Sequence, residues 1–514
     1  MKTRPRIAPA ARIARLNIPA ALWLLLLITL AGGLLRFIGL GSQSLWLDEF
    51  LTWSFALAPV EELRGALRLE PHPPLYFLSA WAWTDIVGRG DEIGLRSLSA
   101  LLGTATVPLV YAAAVTRLSR TAALLAALFV AVSPFAVWYS QEARPYAMLG
   151  ALCALSLVCL LHALESPRRW AWAWAIASSL ALATHYFAGF LIALEALWLL
   201  RVLGWRAVWA PAALVLATEL LMVAYLATVD TFLVDWVRWI PRSDRLQLIP
   251  VEFVTGLQSL DLPSDAAIRF WIASAVAVGG LAAACAFRSE RTAARPFLVF
   301  AAAVILLPLA IAIVKPSTDY VLARYLFAAQ APLLIAVAAG LAARRAGRVG
   351  VVAGLALAGI LLSLTLSIAA RPEFQRADWR SVSREIGPAS VPRALVVRRW
   401  LQSMPLLAYV PRLSVVYKER ETGVSKEENR QRAQTPLSIA EIVVLAFGTR
   451  PEGAPVPGFR LTGWRNDAGA IHATYASPEP VSTTPAALTA GVARLFGKPR
   501  TVWDAPLVYL QGTR

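Results

Sequence analysis

Long apolar stretches constrain the fold of this chain more than any other feature of its sequence. A membrane-spanning helix needs about 20 mostly apolar residues, and about eleven stretches of the chain meet that requirement. Only 16% of the residues are charged, against roughly 25% in soluble domains. We therefore predict a polytopic α-helical membrane protein with about 11 transmembrane helices. The stretches are residues 17–40, 93–116, 121–139, 146–164, 170–185, 187–203, 207–229, 269–287, 296–314, 325–342 and 348–370.

The positions of the basic residues orient these helices. A net charge of +17 could by itself indicate a nucleic-acid-binding protein. Arg and Lys are instead concentrated at every second junction between spans, as cytoplasmic junctions require. This pattern places the N-terminus in the cytoplasm, with the first span retained, and it predicts no nucleic-acid partner. The basic groups are Lys2, Arg4, Arg6, Arg12 and Arg15; Arg117 and Arg120; Arg168 and Arg169; Arg201 and Arg206; Arg288, Arg291 and Arg295; and Arg344, Arg345 and Arg348.

Three segments stand apart from the spans. Residues 41–92 and 230–268 are too long for simple connectors, and we interpret them as first and second outer loops of a transmembrane domain that covers residues 1–370. Residues 371–514 are more charged and contain short β-branched runs, which predicts a small extracytoplasmic α/β domain. Its last 40 residues show no clear pattern. The predicted elements are strands at 394–398, 414–417 and 442–447 and a helix at 378–386.

Ionisable side chains gather at the predicted outer ends of the spans. Carboxylates there can deprotonate a hydroxyl group, and Arg, Lys or His can bind a phosphate. Taken singly, each of these residues has a structural alternative. Asp48 and Glu49 could cap a helix, His72 could be a surface residue, and Arg144 could pair with Glu142. Arg324 could likewise be an interfacial snorkelling residue. The stretches are Ser44–Phe50, Glu70–Tyr76, Tyr139–Tyr146 and residues 315–325.

These motifs carry a resemblance to a known family. The ordered set is similar to bacterial C-superfamily glycosyltransferases, and more narrowly to the protein O-mannosyltransferase and aminoarabinose transferase family. The resemblance covers about residues 15–370, and Asp378-Trp379-Arg380 resembles the opening of the family's outer domain. The motifs are Trp46-Leu47-Asp48-Glu49, His72-Pro73-Pro74-Leu75-Tyr76, Ser140-Gln141-Glu142-Ala143-Arg144-Pro145-Tyr146 and Arg324-Tyr325.

The resemblance implies a multi-pass enzyme of the bacterial cytoplasmic (inner) membrane. It would transfer a sugar, with inversion, from a polyprenyl-phosphate donor to a lipid, glycan or protein hydroxyl on the extracytoplasmic side. By resemblance, Asp48 is the general base, and Glu49 and Glu142 support it or shape the acceptor. Some relatives have Lys in place of His72. The expected phosphate-binding residues are His72, Arg144, Arg324 and Tyr325, and the expected supporting residues are Tyr76, Gln141, Tyr146, Asp319 and Tyr320.

Other interpretations stay open at this point. No cofactor is predicted, and the Asp48–Glu49 pair alone does not encode a metal site, although a divalent metal is an alternative. The three cysteines lie in apolar stretches without a ligand or disulfide pattern. A secondary transporter or lipid flippase is the main alternative function, with slight support from Glu195 and Glu219 inside predicted spans. A function as a non-catalytic membrane scaffold is a third interpretation.

Overall fold

The computed structural model describes residues 18–68, 70–229, 237–238, 240–398, 403–418, 425–447, 451–467, 470–497 and 506–512. The chain forms two compact units. We call Met1–Ser42 with Thr52–Gln375 the helical unit, and Gln43–Leu51 with Arg376–Arg514 the sheet unit. The basic residues predicted before the first span, and residues 230–236 and 239 of the second outer loop, lie outside the described residues.

Every predicted apolar stretch coincides with a helix. Three further helices, α2 to α4, lie in the first outer loop, and one, α12, lies in the second; α2 begins in the sheet unit and ends in the helical unit. The helices are α1 (Ile18–Phe37), α2 (Leu47–Ala56), α3 (Val60–Leu67), α4 (Leu75–Val87), α5 (Glu92–Val115), α6 (Arg120–Val132), α7 (Pro134–Ser140), α8 (Tyr146–Ala163), α9 (Pro167–Leu182), α10 (Ala188–Leu203), α11 (Trp205–Leu226), α12 (Arg242–Thr255), α13 (Ser264–Ala286), α14 (Arg288–Val314), α15 (Gln330–Leu341) and α16 (Gly347–Ala370).

The number of membrane spans differs from the prediction. Among the described residues, eight helices are long and apolar enough to cross a membrane, and α6 with α7 makes a ninth that is bent by 53°. Helices α9 and α10 have 16 residues each, fewer than the about 20 that a full crossing needs. The predicted polytopic helical fold is confirmed, whereas the count of about 11 spans stays a prediction.

The bend between α6 and α7 is stabilised by a buried arginine. Pro134 has no N–H group, so the carbonyl of Val130 loses its helical donor, and the break also leaves the carbonyl of Ala131 without one. Arg36 donates to both, from Nη2 to Val130 at 2.9 Å and from Nη1 to Ala131 at 3.0 Å. Because a backbone carbonyl in lipid must find a donor inside the protein, this arginine allows the span to bend.

A glycine lets the neighbouring helix approach this bend. Arg36 Nε also donates to Ser140 Oγ at 3.2 Å, at the end of α7. A Cβ atom on Gly103 of α5 would lie 2.0 Å from Ser140 Oγ and 2.7 Å from Ser140 Cβ, closer than real Cβ contacts. Helices α1, α5 and α7 therefore meet where the Ser140–Tyr146 motif begins.

The sheet unit is built on a six-stranded mixed sheet in the order β2-β6-β1-β3-β5-β4. Strand β1 pairs in parallel with β3, and the other pairs are antiparallel. One apolar face of the sheet packs on helices into a core, in which Val396, Val444 and Val508 are fully buried. The elements are α17 (Trp379–Ile386), β1 (Arg393–Val397), α18 (Leu406–Tyr409), β2 (Leu413–Lys418), α19 (Lys426–Gln434), β3 (Leu437–Phe447), β4 (Arg460–Asp467), β5 (Ala470–Thr483), α20 (Pro485–Phe496) and β6 (Leu507–Gln511).

The segment Gln43–Leu51 belongs to the sheet unit because its backbone and side chains bind there. Ser44 Oγ donates to the carbonyl of Ala377 at 2.9 Å and accepts from the N–H of Trp379 at 3.0 Å. The N–H of Leu45 donates to Tyr409 Oη at 2.7 Å. These bonds hold the residues that precede Asp48 against the start of α17.

Replacing Gly103 with Ala should destabilise the helical unit. The added methyl group must displace Ser140, and overpacking of this kind costs about 1–3 kcal/mol. The matched control is Gly359→Ala, since a Cβ atom there meets nothing within 4 Å. Thermal unfolding in detergent should show a lower midpoint for Gly103→Ala only, and equal midpoints for the two variants would contradict the packing described above.

Candidate active site

A buried ion pair lies at one end of the helical unit. The carboxylate of Glu70, just before α4, accepts from Arg144 Nη1 at 3.0 Å and from Arg144 Nη2 at 3.3 Å. Nδ1 of His72 also bonds to this carboxylate. Arg144 Nη1 lies 3.4 Å from Thr52 Oγ1. Glu70, His72 and Arg144 are 1%, 7% and 2% exposed, so the first outer loop and the turn between α7 and α8 meet in a nearly dry cluster.

The environment of Glu70 keeps it ionised. Burial opposes ionisation, but the nearby charges of Arg144 and His72 and their hydrogen bonds outweigh it and lower the pKa of Glu70 to about 2. Pairing with Glu142 is the structural alternative for Arg144, and the structure places both Nη groups of Arg144 on Glu70. Glu70 is therefore a site residue that the motif assignment missed, although it stands only two residues before His72.

Aromatic rings enclose the imidazole of His72. Its ring centroid is 5.1 Å from that of His185, 6.0 Å from that of Tyr325 and 6.5 Å from that of Tyr146. The guanidinium of Arg144 lies over the ring of Phe77, with Cζ 5.3 Å from the centroid. The cluster thus combines cationic donors with apolar walls, which strengthen electrostatic interactions with an anion.

A second charged group approaches from the segment before α15. Arg324 is 7% exposed in the 3₁₀ helix Ala323–Ala329, and its Cζ lies 5.7 Å from the Tyr325 centroid. Glu252 of α12 is buried, and burial raises its pKa to about 8, against the opposing charge of Arg324 and with the support of Glu142. Glu252 holds a proton at neutral pH and can donate a hydrogen bond. The only indication of Glu252 in the sequence is that its carboxylate stands inside an apolar stretch.

Two of the predicted supporting residues contact the scaffold. Tyr76 is fully buried, and its hydroxyl is 2.8 Å from Ser99 Oγ on α5. Gln141 Nε2 donates to the carbonyl of Ile38 at 2.8 Å and to that of Leu35 at 3.1 Å. In these contacts Tyr76 joins α4 to α5, and Gln141 caps the end of α1.

Asp319 and Tyr320 contact the second outer loop. Asp319 accepts from Arg245 Nη1 at 2.8 Å and from Arg242 Nε at 2.7 Å. Burial opposes its ionisation, but the two arginines lower the pKa of Asp319 overall. Arg238 Cζ lies 5.5 Å from the Tyr320 centroid. These contacts hold the loop that precedes Arg324 against α12.

Asp48 and Glu49 lie in the first turn of α2, within the sheet unit. Glu49 Oε2 is 3.5 Å from Nη1 of Arg376, whose Cζ lies 5.0 Å from the Trp46 ring centroid. Within the helical unit, the structure brings His72 and Arg144 together with the rings of Tyr146, His185 and Tyr325. The catalytic roles of Asp48 and Glu49 stay predictions.

Two further observations concern other chemistries. Among the described residues, no group of three or more His, Cys, Asp or Glu side chains could hold a metal ion. Glu195 of α10 accepts from Trp174 Nε1 at 2.8 Å and from Ser156 Oγ at 3.1 Å. These bonds join α10 to α8 and α9, so a structural role accounts for this carboxylate.

The comparison with protein families matches the later part of the first outer loop and the helices that follow it. Residues 71–229 match the family described as "Dolichyl-phosphate-mannose-protein mannosyltransferase". The matched segment contains His72, Glu142 and Arg144. This match confirms the resemblance that the motifs predict. No curated protein matches the chain by sequence.

The chain is similar in fold to one solved structure and matches part of another. ArnT from Cupriavidus metallidurans, bound to undecaprenyl phosphate, matches with a TM-score of 0.53 and 14% identity, over 89% of this chain and 98% of ArnT. The S. cerevisiae Pmt1-Pmt2 protein O-mannosyltransferase complex, bound to the sugar donor, matches with a TM-score of 0.34 and 21% identity, over 42% of this chain and 34% of that chain. This chain thus spans about a third of that relative. The ArnT match shows that this chain shares the fold of ArnT, and the long apolar helices are those of a multi-pass membrane protein.

The stability of the protein should fall in acid through Glu70. Its pKa is lowered on folding from 4.5 to about 2, so the ionised form stabilises the fold above about pH 4.5 and this contribution is lost as the pH falls towards 2. Glu70→Gln should lower the unfolding midpoint at pH 7 and flatten its acid dependence. Thermal unfolding between pH 7 and 3 measures both.

The control for this prediction is Glu61→Gln, because Glu61 is an exposed carboxylate on α3. It should keep the acid dependence of the unaltered protein. An acid dependence in Glu70→Gln as steep as in the unaltered protein would contradict the ion-pair assignment.

Proposed function

We propose that this protein is an inverting glycosyltransferase that uses a polyprenyl monophosphate sugar donor. It acts on a hydroxyl acceptor at the extracytoplasmic face of a bacterial cytoplasmic membrane. The observation that carries this proposal is the buried cluster of His72, Arg144, Arg324 and Tyr325 at one end of the helical unit. Its support comes from the family match over residues 71–229 and from the fold shared with ArnT, which was solved with undecaprenyl phosphate.

The cationic cluster would hold the phosphate leaving group. Negative charge grows on the bridging oxygen as the sugar departs, and fixed donors in a dry site stabilise it strongly. Both Nη groups of Arg144 donate to Glu70. The role that we assign to Arg144 is therefore to orient His72 and to add positive charge. Arg324, Tyr325 and His72 would then contact the phosphate oxygens.

The acceptor would be activated by Asp48. In this mechanism its carboxylate removes the hydroxyl proton, and the acceptor oxygen attacks the anomeric carbon on the face opposite the phosphate. The configuration of the sugar is thereby inverted. Glu49 and Glu142 would shape the acceptor or support the base. Support for Asp48 comes from the motif resemblance and from its place in the first turn of α2.

The donor supplies the free energy of transfer, so no further energy source is needed. The acceptor that we favour is a lipid or a cell-envelope glycan, with a protein hydroxyl as the other candidate. Membrane lipids surround the spans and hold the prenyl tail of the donor, while its phosphate reaches the ends of the helices. No cofactor enters the proposal.

Asp48→Asn should abolish most transfer while the protein stays folded. An amide cannot accept the hydroxyl proton, and general-base catalysis contributes roughly 10²–10⁴-fold. The assay measures sugar transfer from a polyprenyl-phosphate donor to membrane acceptors by mass spectrometry. Asp85→Asn is the matched control, because Asp85 is exposed on α4.

Turnover of Asp48→Asn close to that of the control would overturn the assignment of the base. Accumulation of substrate in proteoliposomes, without any glycosylated product, would instead support the transporter alternative.

A further inference from the structure

His185 presents a buried hydrogen-bond donor that none of the described residues accepts from. It lies in the turn between α9 and α10 and is 2% exposed. Its Nδ1 accepts from the N–H of Phe187 at 3.2 Å, so the proton of the neutral imidazole is on Nε2. Nε2 has no hydrogen-bond partner among the described residues. Since buried donors are almost always paired in native proteins, this orphan points to a ligand.

The surroundings of His185 indicate what that ligand is. Its ring centroid is 5.1 Å from that of His72, 5.2 Å from that of Tyr325 and 6.0 Å from that of Tyr146. Burial, and then the positive charges of its neighbours, lower the pKa of His185 well below 6.5, so its ring stays neutral. A neutral donor beside fixed cations suits an anionic acceptor with several oxygens.

We propose that His185 donates its Nε2–H to a phosphate oxygen of the polyprenyl phosphate donor. With His72 and Tyr325 it forms the wall of the phosphate subsite. This inference rests on the proposed function and adds a residue that the sequence motifs do not contain. Because the Phe187 N–H holds the other ring nitrogen, the donor direction is set before the lipid arrives.

Two substitutions separate the two nitrogens of the ring. In His185→Asn, the amide reaches the position of Nδ1 and can still accept from Phe187, but it carries no donor at the Nε2 position. In His185→Gln, the longer amide reaches the Nε2 position and restores a neutral donor there. His185→Phe keeps the ring shape and removes both nitrogens.

The experiment measures binding of undecaprenyl phosphate to the full-length protein in nanodiscs. His185→Asn should weaken binding about tenfold or more, as expected for loss of a hydrogen bond to a charged group. His185→Gln should stay within about threefold of the unaltered protein. Undecaprenol, which lacks the phosphate, should bind equally to all three proteins, and inorganic phosphate shows how much binding is independent of the lipid.

The outcomes distinguish the inference from the proposal on which it rests. If the unaltered protein does not bind undecaprenyl phosphate, the proposed function fails. If it binds but His185→Asn binds equally well, the role of His185 is overturned. Thermal unfolding checks that each variant is folded, and if the Asn variant is not, His185→Phe against His185→Gln gives the same comparison.

Discussion

The helical unit depends on satisfying the backbone carbonyls freed where a membrane span bends. The last three carbonyls of α6 each accept a hydrogen bond from a side chain of another helix. Arg36 donates to those of Val130 and Ala131, and Thr365 Oγ1 donates to that of Val132 at 2.8 Å. Without such donors a 53° break in an apolar environment would be too costly to persist. The bend also sets the direction of α7, and therefore where the turn with Glu142 and Arg144 lies.

The candidate site follows a related principle, in which buried charges compensate one another. Glu70 is covered almost completely, yet it stays ionised because Arg144 and His72 bind it from two separate segments. Removing one member of such a pair leaves an uncompensated buried charge. The pair therefore fixes the position of the His72 imidazole, and the neutral His185 beside it can add a donor without adding charge.

Local patterns in the sequence predicted much of the fold. Apolar stretches marked the helices, and the β-branched run at 394–398 corresponds to strand Arg393–Val397. Strand β6 was missed because Leu507–Gln511 is short and lies in a region without clear pattern, and because its place between β1 and β2 depends on partners about 100 residues away. The roles of Arg36 and Glu252 were missed for the same reason, since their partners are distant in sequence.

The sequence by itself determined that the chain is a polytopic helical membrane protein, because apolar length and the placement of Arg and Lys are local properties. It also identified His72, Arg144 and Arg324 as residues of interest. Only the tertiary structure decided that Arg144 binds Glu70 and that α9 and α10 are short. It also decided that the ring centroids of His185 and His72 lie 5.1 Å apart. Pairing between separate helices depends on how they pack in three dimensions, and no local pattern encodes it.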